Sequence, residues 1–203
     1  AINAILASFI TMPLAAFAAY SFSRYRYKWS KPLQMAILGL MMIPGLTNLV
    51  GIYRIGSVLK IMNTHFILVS IYTAAGIPFT LWIIKAFFDA IPREMEEAAL
   101  IDGCSPLMSM RHVVIPLAMP GLISGFLLNF VFNWNEFLTA VILLTSNDAR
   151  TATVGLYDFQ SQYEIAYHVL TAACMLIMLP VVIMFVFARK SFFRAMLDGA
   201  LKG

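Results

Sequence analysis

The sequence predicts an all-α, polytopic membrane protein: a transmembrane helical bundle of five spanning helices with one polar loop between the third and the fourth. Three observations predict it. Of the 203 residues, 61% are hydrophobic and 12% charged, about half the charged share of a soluble domain. Five apolar runs, 1–22, 33–53, 66–88, 121–144 and 165–187, are each near the roughly 20 residues that cross about 30 Å of hydrocarbon as a helix. Lys and Arg gather in alternate gaps between those runs. Lipid offers backbone groups no partners, so unbroken apolar runs favour helices, and the ten-residue alternating segments of a β-barrel are not visible. The short gaps make residues 1–203 one membrane domain.

Taken in order, the first run lacks the basic leader and small-residue cleavage site of a signal peptide. It ends in Arg24, Arg26, Lys28 and Lys31, with Tyr20, Tyr25, Tyr27 and Trp29 at the level where aromatic residues anchor in the membrane edge. Pro13, Pro44, Pro78 and Pro180 fall inside four of the five runs. Each removes a backbone hydrogen bond, which reads either as irregular packing or as a bundle bent around a pathway. Pro44-Gly45, followed by Thr47 and Asn48, is the place to expect a real break. Eleven Lys and Arg lie in the first gap, the polar loop (with Lys85 at its edge) and the tail; Arg54, Lys60 and Arg150 lie in the opposite gaps. The positive-inside rule therefore predicts a cytoplasmic polar loop and C-terminus, with residues 54–65 and 145–164 outside. Residue 1 then falls outside, at the edge of an apolar run and without an initiator Met, so the sequence is expected to begin part-way through a longer protein.

Residues 91–116, IPREMEEAALIDGCSPLMSMRHVVIP, collect Arg93, Glu94, Glu96, Glu97, Asp102 and Arg111. Pro92 suits the first turn of a helix, where the glutamates meet the positive end of the dipole. That helix should stop at Gly103, a left-handed cap. Ser105-Pro106 restarts it as N-cap and first position, to about Val114, and Pro116 and Pro120 mark the return to the membrane. Two such short helices need a partner surface to be stable.

Glu97-Ala98-Ala99, three residues, Gly103, nine residues and Val113-Val114-Ile115-Pro116 resemble the EAA loop of binding-protein-dependent ABC importer permeases. Val113 and Ile115 stand where the pattern has Ile and Leu. Pro92, Glu96 and Asp102, Asn133-Trp134-Asn135-Glu136-Phe137, and the ending Gly199-Ala200-Leu201-Lys202-Gly203 are similar to the carbohydrate branch, in particular the maltose-type second permease subunit. The resemblance implies a coupling helix seated in a groove of a cytoplasmic ATPase. Glu97 would be its polar anchor, Ala98 and Ala99 its small face and Gly103 its elbow, with Glu96, Asp102 and Pro116 in the same loop. It also implies a second related permease subunit, two ATPase subunits that bind the ATP and Mg, an extracytoplasmic solute-binding protein meeting the 145–164 loop, and residence in a bacterial inner membrane. No cofactor is expected in this chain. The tail, 188–203, is either positive-inside charge or, through Gly199, Lys202 and Gly203, a second ATPase contact. Relative to that family the first of six helices is absent.

In the fourth run Gly125, Asn129, Asn133 and Glu136 share one helical stripe. Two readings stand: a surface toward the translocation pathway or the partner permease, or interhelical hydrogen bonding. His168, four residues after Glu164, suggests a local pair; His65, His112, Cys104 and Cys174 form no metal or disulfide pattern. No Walker A loop, HExxH or nucleophile elbow is present, so ATP hydrolysis is expected elsewhere. Nothing suggests nucleic-acid binding once the basic residues are placed by topology. An ion-coupled secondary transporter, or a permease for a non-sugar solute such as glycerol phosphate, is the alternative.

Overall fold

The computed structural model describes residues 1–146, 149–157 and 167–200, with side chains described to residue 191 in the last segment. Among the described residues every regular element is helical. The centre is a pair of parallel helices, α1 (Ile2–Arg24) and α4 (His65–Ala90). Asn3 Oδ1 meets His65 Nδ1 at 2.8 Å at one end, and the rings of Tyr20 and Phe88 meet at 6.3 Å at the other. In lipid, helices gain little from burying apolar surface, so close approach through small residues carries the packing. The buried face of α1 is accordingly Ala4, Ala7, Ser8, Thr11, Ala15, Ala19 and Ser23, a stripe onto which Leu68, Leu81, Ile84 and Phe88 of α4 fit. Ile5, Phe9 and Phe17 of α1 point away from that seam and are exposed.

Between those two helices the chain returns through α2 (Ser30–Met41) and α3 (Gly45–Val58), which meet at 89°. The expected span 33–53 is therefore a bent pair. Pro44 cannot donate a backbone hydrogen bond and pushes its predecessor out of the helical region, which stops α2 just before it. Pro13, Pro78 and Pro180, by contrast, sit inside continuous helices.

After the 91–116 loop the chain bends by 77° into α8 (Met119–Asn135), antiparallel to α1 and α4. The absence of a side chain at Gly121 admits the Phe87 ring. The expected span 121–144 is corrected here: the helix ends at Asn135, Glu136 is extended, and a separate short helix, α9 (Leu138–Leu143), follows. Next come α10 (Ala152–Tyr157) and α11 (Tyr167–Ala200). α11 lies against α8, where Trp134 Nε1 donates to the Ile177 carbonyl at 3.1 Å, and its most apolar stretch, within 167–191, has no buried residue. The tail expected to begin at 188 starts as a continuation of α11.

Among the described residues three helices are long and apolar enough to cross a membrane, and the two bent pairs raise that to as many as five if each is one span. The cation-rich segments, 24–31, the polar loop and the end of α11, gather at one end of the bundle. The 59–64 turn and the segment after α8 meet at the other, where Asn63 N–H donates to Leu143 O at 3.1 Å and Asn63 Oδ1 accepts from the Thr145 and Ser146 N–H groups at 2.6 and 2.8 Å.

Candidate functional site

The polar loop folds as its residues dictate. α5 (Arg93–Ile101) follows Pro92, one residue later than expected, and carries Glu94 and Glu96 in its first turn. Gly103 adopts φ +87°, so that Cys104 N–H reaches Ala99 O at 3.0 Å and Gly103 N–H reaches Leu100 O at 3.1 Å, the paired bonds of a Schellman cap. Ser105 Oγ then accepts from Met108 N–H at 3.3 Å, and Pro106 opens α6 (Pro106–Ser109). A π-helical turn, Met110–Val114, leads into α7 (Ile115–Leu117). Ile115 N–H bonds back to Met110 O, a widened turn immediately ahead of Pro116, which has no N–H to give.

The loop has two faces. On the inner one, Ile91, Met110, Val114 and Ala118 are buried against Ala15, Ala19 and Tyr20 of α1 and Ile84 and Phe88 of α4. Glu96 belongs to this face. Its carboxylate takes Arg24 Nε at 2.7 Å, with both side chains under 10% exposed, and accepts the Tyr20 hydroxyl. Arg24 Nη2 also donates to Ile91 O at 3.2 Å, and Arg93 Nη2 to Ser23 O at 2.9 Å. Four bonds thus clamp the start of the loop to the end of α1. Glu97, Ala98, Asp102 and Gly103 are exposed on the outer face, and Ala99 is half-buried. Neighbouring residues lie about 100° apart on a helix, which is why Glu96 and Glu97 point to different partners. The outer face also carries Ile101, 87% exposed, with Leu107 and Met108, an apolar crown around the Gly103 elbow. Pro116 is exposed at the start of α7.

A second polar group lies inside the bundle. Asn129 and Asn133 are buried on α8; Asn133 Nδ2 reaches Ser8 Oγ of α1 at 3.4 Å, and Asn129 sits where Gly76 of α4 leaves room for its carboxamide. Glu136 leaves the expected stripe because α8 has ended. Its carboxylate caps α9, accepting Thr139 N–H at 2.8 Å and Ala140 N–H at 3.2 Å, and takes the Tyr72 hydroxyl at 2.8 Å. Two cavities of about 290 and 300 Å³ open on either side of Tyr72 and Asn133, which line both. Asn129 Nδ2, lining the second, has no partner among the described residues.

Gly199 lies in the last turn of α11, whereas Lys202, Gly203, Glu164 and most of the polar residues of the 145–164 loop lie outside the described residues. Among the described residues no group of His, Cys, Asp and Glu is placed to hold a metal. Arg24 reads in the sequence as topological charge, and Tyr20, Tyr72, Ser8 and Gly76 carry no motif; only the fold joins them to the loop and to α8.

Residues 11–198 match the family model described as binding-protein-dependent transport system inner membrane component. The chain belongs to that family. As such a permease it is a membrane component of an ABC importer and a transport subunit. It is 34% identical over 203 residues to the trehalose/maltose transport system permease protein MalG of Thermococcus litoralis, covering 100% of this chain and 73% of that one. It is 32% identical over 197 residues to the maltodextrin transport system permease protein MdxG of Bacillus subtilis, covering 96% and 70%. The permease fold recurs in the crystal structure of a bacterial ABC transporter involved in the import of the acidic polysaccharide alginate, with a TM-score of 0.77 and 22% identity over 94% of this chain and 72% of that chain.

Proposed function

We propose that the chain is one permease half of an ATP-driven sugar importer, working in a bacterial inner membrane with a second permease, two ATPase subunits and an extracytoplasmic binding protein. The polar loop is its cytoplasmic coupling element. The observation that carries this reading is the two-faced loop: bonded on its inner face to α1, and presenting Glu97 with the Ile101, Leu107 and Met108 crown on its outer face. A polar anchor beside exposed apolar side chains on a loop bonded to the bundle behind it is the composition of a docking surface. Sugar is favoured by the named substrates of the relatives, and the two cavities beside Tyr72 and Asn133 are space within the bundle that a pathway could use. Hydrolysis of ATP falls to the separate subunits.

Co-purification tests the docking. Glu97→Lys with Gly103→Pro should abolish ATPase association, and Ile101→Asp should weaken it about tenfold or more, the range of an interface anchor; intact association and transport in both would overturn the reading. In the assembled complex, a sugar with its binding protein should raise ATP hydrolysis. Stimulation by glycerol phosphate instead would move the solute class, and uptake that persists without ATP on an ion gradient would favour a secondary transporter.

A further inference from the structure

Where α1 and α4 end, at Arg24 and Ala90, the chain encloses a concavity of about 800 Å³ whose walls are the 25–29 linker, the first turn of α2, the last turn of α4 and the start of α5. Five cations line it, Arg26, Lys28, Lys31, Lys85 and Arg93, against one carboxylate, Asp89. Asp89 is taken by Lys85 at 2.6 Å, and Arg93 is bonded to Ser23 O. Arg26, Lys28 and Lys31 form no ion pair among the described residues. α2 adds the positive end of its dipole, with no acidic residue in its first turn.

We infer that this groove is a binding site for the phosphate headgroup of an anionic membrane lipid. Arg26, Lys28 and Lys31 are exposed, yet all three line one cavity without a carboxylate partner among the described residues, Lys28 standing 6.0 Å from the centroid of the Trp29 ring. The groove lies at the ends of two candidate spans, the level of lipid headgroups, and is lined by the exposed Tyr25 and Tyr27, as interfacial aromatics would line it, with the exposed Trp29 next in the same linker. From its mouth the exposed apolar surface of α2, including Leu33, Met35 and Leu40, continues into the membrane, giving acyl chains a wall to lie on. That wall selects a lipid over free phosphate. Basic pockets between helices at an anionic leaflet bind such headgroups, each cation strengthening the attraction about fivefold. The inference rests on membrane residence and is independent of the docking reading above.

The test uses the assembled importer, delipidated in detergent and titrated with phosphatidylglycerol or phosphatidylcholine, with bound lipid counted by native mass spectrometry. Phosphatidylglycerol should bind preferentially, and Arg26→Gln with Lys31→Gln should weaken it roughly thirtyfold. Arg26→Lys with Lys31→Arg should retain it. Arg189→Gln with Lys190→Gln, which removes equal charge from exposed positions on α11, should change it by no more than about twofold, a site-specific rather than surface-wide response. Equal binding of both lipids, an equal loss in the α11 variant, displacement by millimolar inorganic phosphate, or loss of ATPase association with lipid binding unchanged would each overturn the site.

Discussion

Arg24 and Glu96 stand 72 residues apart and meet at 2.7 Å with both side chains nearly buried. Removing one partner strands the other charge, so Arg24→Ala should cost about 3–5 kcal/mol of stability, read by denaturant titration in mixed micelles. The Arg24→Ala/Glu96→Ala double variant should cost clearly less than the sum of the two single ones; additive losses would show that the pair is not coupled. Gly76 presents a different residue-scale constraint, because a methyl there would overlap the Asn129 carboxamide. Gly76→Ala should therefore destabilise by about 1–3 kcal/mol. Gly39→Ala in α2, with open space around it, should be neutral or gain up to about 1 kcal/mol. Equal effects at the two glycines would contradict the α4–α8 packing described above.

Among the elements, the break between α8 and α9 is the one whose chemistry is least ordinary for a membrane interior. A carboxylate there caps a six-residue helix and binds a tyrosine on another helix. Glu136→Leu should lose the cap and leave the Tyr72 hydroxyl unpaired, at about 1–3 kcal/mol. Glu136→Gln, which keeps an acceptor, should cost less. A pathway role for Glu136 is then read only from transport by the Gln variant, measured in the folded complex: slowed uptake at normal stability supports it, and wild-type uptake excludes it. The polar loop shows the same division of labour within one element. Its cap at Gly103 follows from local turn chemistry, while the choice of Glu96 as the inner carboxylate follows from the position of α1.

At the scale of the whole molecule, the parallel α1 and α4 with antiparallel α8 bring the cation-rich segments to one end, as the positive-inside rule requires of a consistent topology. Cys104, partly exposed in the polar loop, reports which side that end faces. With Cys174 replaced by Ser, an impermeant maleimide should label Cys104 in inverted vesicles and not in intact cells; the reverse labelling would place the loop outside. Much of this was legible before any coordinates. Apolar runs of spanning length, Pro44 as a breaker, the Gly103 stop and the Ser105-Pro106 restart are local properties, decided by backbone sterics and by the absence of water in lipid, so the sequence alone determines them. What only the tertiary structure decided concerns contacts across distant segments. The small-residue stripe of α1 sets which face α4 meets, and that packing buries Glu96 against Arg24 and Tyr20. It also places Tyr72 beside Glu136, ending a helix that hydropathy alone would continue. The physical reason is that hydropathy records how much a segment prefers lipid, whereas the partner of a buried polar group is set by which helices approach closely enough to supply one.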